Sequence, residues 1–474
     1  MMQHFAVVPA TRRYLATCAS TFILCLTVGS AFAQTETILY NFQSANDVSS
    51  PYSSVLVTDS AGNLYGTAIY GGTGCALSNC GGGVFRLSPP SAPGGSWTES
   101  VIYTFGSSPN DGLSPRGALA RDEHGHLYGT TNGGGTYGYG TVFQLSPPAN
   151  PAAPWTESIL HNFKLGTSDG NGPIGGVVLD SKGNLYGTTN SGGAGYCYGY
   201  PGGCGTAFEL SPPPKKGAPW KRTIVHGFGS GYDGSYPWSS LVVGAGGVLY
   251  GTTLGGGIFS CSVDGNSDGC GAVFQLTPPA TAGEKWTEAV YDVPSELVGA
   301  YFLGGAVQGR NGALHAPIYA GGPGQNCMDA SGFSVGCGGI LELAPPAPGT
   351  SRWHVNTIYT FTGLGDGAFP LASLATDNAG NLYGTTGAGG GLGNCTGAVF
   401  AFASGCGTVF KLSPPTAAGG PWTETVLHSF SGGNDGQEPW GTLLLNGGVL
   451  YGTTVFGGTN NGLDGLGTVY RIVP

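Results

Sequence analysis

The chain has 474 residues, 40% of them hydrophobic and only 9% charged, with a formal net charge of −10. It can bury a large core, and ion pairs are too sparse to be its main source of stability. The acidic balance argues against nucleic acid or an anionic membrane as partner, and 91 glycines with 32 prolines would point to disorder if they had no period.

Residues 1–33 read as a secretory signal. Arg12 and Arg13 form a basic start, Leu15 to Val28 is mostly apolar, and Ala31-Phe32-Ala33 is a small-x-small cleavage site before Gln34. The apolar run is short for a membrane span, and no later stretch is a second candidate. Losing the two arginines takes the net charge from −10 to −12. The mature chain, 34–474, is therefore expected outside the cytoplasm: extracellular, cell-surface or periplasmic.

The next element is a strand, Glu36-Thr37-Ile38-Leu39-Tyr40-Asn41-Phe42. After it a pattern begins to repeat. Asn63-Leu64-Tyr65-Gly66-Thr67 returns with its tyrosine at Tyr128, Tyr186, Tyr250, Tyr383 and Tyr451, and His315 fills the gap. The seven copies are spaced 63, 58, 64, 65, 68 and 68 residues, longer than a solenoid coil and suited to a four-stranded propeller blade. Each unit holds four strand-like runs rich in β-branched and aromatic residues. An apolar run such as Gly176–Asp180 comes first and the tyrosine motif second. A run such as Gly140–Leu145 is third, and Trp155–Phe163 shows the fourth. No segment has a 3.6-residue period.

The third run also occurs seven times and ends with Gly467-Thr468-Val469-Tyr470 near the C-terminus. The last unit lacks a fourth strand, and Glu36–Phe42 at the other end of the mature chain supplies one. The predicted fold is all-β: a single seven-bladed β-propeller over 34–474, closed by its N-terminal strand, which removes open sheet edges. Blades stack face to face, so the second strand is buried on both sides, and Gly66 and its equivalents leave room for a neighbour's aromatic ring. Recurrence marks the motif tyrosines as scaffold. It also marks Glu99, Glu157, Glu288 and Glu424, and the Tyr/His position Tyr40, Tyr103, His161, His226, Tyr291, Tyr359 and His428.

Asn-Leu-Tyr-Gly-Thr-Thr, then Gly-Gly, then Gly-Thr-Val-Phe-x-Leu, resembles the bacterial GloVer tandem repeat across essentially all of residues 35–474. Members of that family often carry a surface-anchor tail after the repeats. The resemblance implies no established activity.

Ten cysteines follow the signal and fall into five local pairs: Cys75–Cys80, Cys197–Cys204, Cys261–Cys270, Cys327–Cys337 and Cys395–Cys406. Each pair lies between the second and third strands of one blade. In an exported chain such pairs read as loop-stapling disulfides; a zinc site needs four ligands, and each loop offers two thiols and no histidine.

In a four-stranded meander the stapled loops share a face with the connections that enter each blade. Those connections carry Asp-Gly-x-x-Pro at Asp111/Pro115, Asp169/Pro173, Asp233/Pro237, Asp366/Pro370 and Asp435/Pro439, and loosely at Asp47/Pro51. The aspartate most simply caps its own turn. The residue after the proline varies: Tyr52, Arg116, Ile174, Trp238, Leu371 and Trp440. It enters the innermost strand near the channel mouth, where Tyr52, Arg116, Trp238 and Trp440 suit stacking on a sugar or peptide. Ordinary packing under the loops is the competing account.

Blade 5 departs from the pattern, with Asp292-Val293-Pro294-Ser295-Glu296 in place of the loop and His315 in place of tyrosine. Asp292, Glu296 and His315 are the candidates for acid–base chemistry; decay of one repeat explains the same facts more cheaply. His124 and His126, in a turn on the opposite face, read as solvated. Asp264, Asn266 and Asp268 match the first half of a calcium loop, although its twelfth position is Gln275 rather than Glu. No other cofactor is expected. The sequence thus predicts a monomeric binding or structural module for a glycan or cell-surface component. The rivals are a carbohydrate-active hydrolase or lyase at the channel mouth and a protein-binding adhesin.

Overall fold

The computed structural model describes residues 35–474 except 44–46, 53–54, 73–80, 196, 198–201, 216, 230–232, 258–268, 282, 293–300, 323–325, 329–333, 347–352, 394, 396–403, 418 and 460–464. Seven antiparallel sheets form a ring, a seven-bladed β-propeller. Blade 1 runs Val57–Thr58, Leu64–Ala68, Gly83–Ser88 and Thr98–Thr104, each strand paired to the next. Blade 7 runs Leu444–Asn446, Val449–Thr454 and Thr468–Val473, and its fourth strand is Thr35–Asn41 from the start of the chain. Thr35 pairs with Val473 and Asn41 with Thr468, so the ring closes as the sequence predicts.

The first strands are innermost. Ala120–Arg121, Val178–Leu179 and Val242–Val243 of consecutive blades touch one another. Just before them the backbones cross so closely that a Cβ on Gly176 would stand 2.0 Å from the Ala118 carbonyl oxygen. Only glycine fits there.

The glycine of the repeated motif has a different reason from the one its pattern suggests. The ring it accommodates comes from the third strand of the same blade, not from the next blade. Gly66 pairs with Phe85, and a Cβ there would lie 2.5 Å from the Phe85 ring. Phe143, Phe208, Phe274, Phe410 and Tyr470 fill the same place over Gly129, Gly187, Gly251, Gly384 and Gly452. In blade 5 the pair is Ala316 with Leu341, a smaller side chain over a larger residue.

Between blades, the first threonine of the motif reaches forward. Thr67, Thr130, Thr188 and Thr252 donate to the carbonyls of Gly117, Gly175, Ser239 and Gly304 in the following blade. These hydroxyls are buried, so each bond keeps a polar group satisfied while fixing the rotation between blades. Blade 5 carries Pro317 here and cannot make the bond; its Gly305 N–H instead donates to Ser373 Oγ at 2.7 Å.

Candidate binding face and inter-blade seams

The six described connections that carry the loop aspartate are locked by it. Asp111 accepts from the Ser107 and Gly112 amides, Asp366 from Thr362, and Asp435 from Ser431. The residue before the proline takes a left-handed φ in six blades: Ser50 55°, Ser114 57°, Gly172 61°, Tyr236 57°, Phe369 58° and Glu438 57°. Five of these are not glycine, so the backbone holds a conformation L-residues rarely adopt. Its N–H anchors it to the preceding blade. Tyr236, Phe369 and Glu438 donate to the carbonyls of Cys204, Cys337 and Cys406.

Those cysteines are the second members of three disulfides present in the structure, Cys197–Cys204, Cys327–Cys337 and Cys395–Cys406. Cys270 is disulfide-bonded too; its expected partner Cys261, and the pair Cys75–Cys80, lie outside the described residues. The staples therefore do more than close loops. They fix the carbonyl that receives the strained turn of the next blade.

The variable residue after the proline forms a contiguous arc across blades 6, 7, 1 and 2. A Cβ on Gly387 would touch both Leu371 and the Trp440 indole nitrogen. Trp440 meets the Tyr52 ring edge to face at 4.8 Å, and the Arg116 guanidinium lies 5.1 Å over Tyr52. Trp440 is buried, while Tyr52, Arg116, Trp238 and Leu371 keep partial exposure. Burial raises the Tyr52 hydroxyl pKa; Arg116 pulls it down and Glu438 pushes it up. Glu438 is buried beside this arc and sequence reasoning passed over it. The signal was available: it is the one acid among Ser50, Ser114, Gly172, Tyr236, Phe369 and Glu438. Leu303 is the blade 5 member of the variable set, found by counting back from Gly309 rather than from a proline.

Exposed large hydrophobic residues gather on this same face. Tyr70, Tyr137, Leu165, Met328, Leu364 and Leu392 are 41–56% exposed and all lie in loops between second and third strands or in blade-entering connections.

A second repeated cluster lies at the seams between blades. The Tyr/His of one outer strand, the loop aspartate and the glutamate of the next outer strand converge. Tyr103 donates to Glu157 Oε2 at 2.9 Å and to Asp111 Oδ2 at 3.3 Å. Tyr40, Asp47 and Glu99 meet likewise, as do Tyr359, Asp366 and Glu424. Two carboxyl groups in one half-buried pocket cannot both ionise cheaply. Desolvation first, then the neighbouring aspartate, pushes Glu99 up to about 8 and Glu157 and Glu424 up to about 7. Histidine replaces tyrosine at His226, with Asp233 and Glu288, and at His428, with Asp435 and Glu36. At the seam of blades 2 and 3 the glutamate position is Arg222, 3.4 Å from Asp169.

Of the acid–base candidates, His315 is buried on the second strand of blade 5, its Nε2 3.1 Å from Glu342 Oε2 and its ring edge-on to Trp422. It stands where Tyr65 stands in blade 1, and Gly309 stands where Asp59 does. Asp292 ends the outer strand of blade 4, its backbone paired with Ala272. Glu296 and the calcium-like residues Asp264, Asn266 and Asp268 lie outside the described residues. His126 binds Asp122 through Nδ1 at 2.8 Å and takes the part that Asn63 plays in blade 1. No helix among the described residues is long and apolar enough to cross a membrane.

The Gloeobacter/Verrucomicrobia repeat matches residues 26–263, half of the chain. The chain belongs to this repeat family. No curated protein is similar to it at a significant level. Among solved structures, the PQQ-bound aldose sugar dehydrogenase of Streptomyces coelicolor is similar at 13% identity and TM-score 0.42, covering 78% of this chain and 97% of that one. The pyranose dehydrogenase PQQ domain of Coprinopsis cinerea is similar at 13% identity and TM-score 0.37, covering 89% and 100%. The calcium structure of the Trichoderma reesei carbohydrate-active enzyme of family AA12 is similar at 12% and 0.40, covering 93% and 96%. Likenesses of this size carry no argument about cofactor or reaction.

Proposed function

We propose that this repeat protein is an exported binding module that takes a glycan at the channel mouth on its stapled face. The observation that carries the reading is the arc Leu371–Trp440–Tyr52–Arg116, an aromatic and cationic ladder written at a position that varies inside a repeated frame. Flat rings offer large contact area to the C–H face of a sugar at little entropic cost, and Arg116 supplies a hydroxyl-directed polar group beside them. Trp440 is buried and supports Tyr52 from beneath; Tyr52, Arg116 and Trp238 are the ligand-facing residues. Export rests on the leader-like residues 1–33 together with the disulfides.

The test is an oligosaccharide and polysaccharide binding screen on residues 34–474, with reducing-end product analysis in parallel. Tyr52→Ala and Trp238→Ala are expected to weaken the best ligand about 10-fold or more, the range of an aromatic anchor, with an unchanged melting temperature. Lost stability with unchanged affinity would retire the reading. Product release would move the protein to the hydrolase or lyase class.

A further inference from the structure

Two of the three seams that carry histidine hold a metal-ligand set that the tyrosine seams do not. Between blades 3 and 4, His226 Nε2 lies 3.3 Å from Asp233 Oδ1 and 3.3 Å from Glu288 Oε1. Between blades 6 and 7, His428 Nε2 lies 3.0 Å from Asp435 Oδ1, and Glu36 completes the set. In each cluster one donor atom from each residue falls within 4.8 Å of the others, and all three side chains are half-buried.

Two observations bear on these clusters, the first on the seam of blades 3 and 4 and the second on both. The first is spacing. A charge-assisted N–H···O bond closes to about 2.7–2.9 Å. Ligands held at about 2.0–2.1 Å around a tetrahedral ion stand about 3.3–3.4 Å apart. Both contacts of His226 fall at the wider value, whereas His428 lies 3.0 Å from Asp435, so this observation belongs to the seam of blades 3 and 4. The second is charge. At the remaining histidine seam the chain supplies a permanent cation itself: Arg222 lies beside His161 and Asp169, on the strand position that holds glutamate elsewhere. The histidine seams that keep the glutamate have two carboxyl groups and no such cation within the cluster.

We propose that these two seams each bind one divalent ion of the zinc class as a clamp between adjacent blades. One imidazole nitrogen and two carboxylate oxygens fill three positions of a tetrahedron and leave the fourth to water. Imidazole favours zinc and its transition-metal neighbours over calcium or magnesium, which prefer oxygen alone. At the seam of blades 6 and 7 the clamp includes Glu36, on the N-terminal strand that closes the ring, so the ion reinforces closure where the chain has no covalent continuity.

The repeat provides the control substitution. Tyrosine already stands beside the same carboxylate pair at Tyr40, Tyr103 and Tyr359, so His226→Tyr and His428→Tyr keep a hydrogen-bonding partner and are expected to fold. Should either fail by circular dichroism, His226→Gln and His428→Gln replace them. Zinc uptake by the chelator-stripped mature protein is measured by calorimetry and elemental analysis. Each single substitution is expected to remove one ion and the double substitution two. Zinc is expected to raise the melting temperature of the parent and not of the double variant. A substitution that removes no ion overturns the site at its seam, and equal uptake by parent and double variant overturns both. A calcium response as large as that of zinc overturns the assignment to the zinc class.

Discussion

Blade 1 uses an aspartate with a tyrosine twice, at its first turn and at its outer seam, and the results are opposite. In the first turn, Asp59 accepts from the Ala61 and Asn63 amides, the Asn63 side chain and the Tyr65 hydroxyl. Those donors outweigh desolvation, and the Asp59 pKa is lowered. At the other end, Asp111 shares Tyr103 with a second carboxyl group, Glu157, and burial with this neighbour pushes Glu157 up to about 7. The residue types are alike; the count of donors per carboxylate decides which way the proton goes. The turn is local and satisfied within six residues. The seam is assembled from two blades, so it exists only when the ring is closed.

The harshest way to break that comparison is to open the ring. Deleting residues 34–44 removes Thr35–Asn41 and with it six backbone-paired positions against Thr468–Val473. It also removes Glu36 from one seam. An edge strand is exposed, and cooperative unfolding near physiological temperature or aggregation is expected. Calorimetry that finds the parent's melting temperature in the truncated protein would refute the closure.

A smaller blow falls within one blade and leaves the seams alone. Gly384→Ala places a Cβ 2.5 Å from the Phe410 ring and 2.7 Å from Leu374. Overpacking of this kind costs about 1–3 kcal/mol. Denaturant titration checks it, and Phe410→Leu in the same chain should recover part of the loss, since blade 5 already pairs Ala316 with Leu341.

The ring, its seven-fold count and its closure were legible because each rests on local pattern repeated in one chain. The scaffold role of Glu99, Glu157 and Glu424 was legible for the same reason. What the pattern hid was what each side chain meets across space. Gly66 was assigned to the wrong neighbour because a strand sequence does not say which side of a glycine is crowded. The seams were invisible because Tyr103, Asp111 and Glu157 are each unremarkable alone and meet only through blade stacking. Glu438 stood in the sequence as one variable letter before a proline; burial beside Tyr52 gives it weight.

The pH dependence sharpens the comparison, because the two ends of a blade titrate with opposite sign. Folded Glu99, Glu157 and Glu424 hold protons up to about pH 7–8, whereas in the unfolded chain they release them near 4.5. The groups facing them are Tyr40 with Asp47, Tyr103 with Asp111, and Tyr359 with Asp366. The folded state therefore binds the extra protons, and stability falls as pH rises through 7–8. Lowered Asp59 and Asp377 do the reverse: their contribution is present above the ordinary aspartate pKa and is lost as pH drops below it. The melting temperature should decline between about pH 5 and 8, and the triple change Glu99→Gln, Glu157→Gln, Glu424→Gln should flatten that decline. A rise over the same interval would reverse the account of the seams.

The gentlest test touches one turn. Asp377 accepts from the Ala379 amide at 2.9 Å, the Asn381 amide at 2.9 Å, the Asn381 side chain at 2.7 Å and the Tyr383 hydroxyl at 3.0 Å. The turn is exposed, so water replaces most of these partners when Asp377 becomes alanine. The Tyr383 body stays buried whether or not its hydroxyl is bound. Blades 4 and 5 already make the same turn around Gly244 and Gly309 without a carboxylate, and blade 7 shortens it to the Gly447-Gly448 pair. The frame therefore does not depend on the aspartate, and Asp377→Ala should cost about 0.5–2 kcal/mol, the scale of a lost side-chain cap. The denaturation midpoint should shift with no change of slope, because only a local contact is lost. A larger loss, or a changed slope, would mean that the turn carries part of the cooperativity assigned here to the seams.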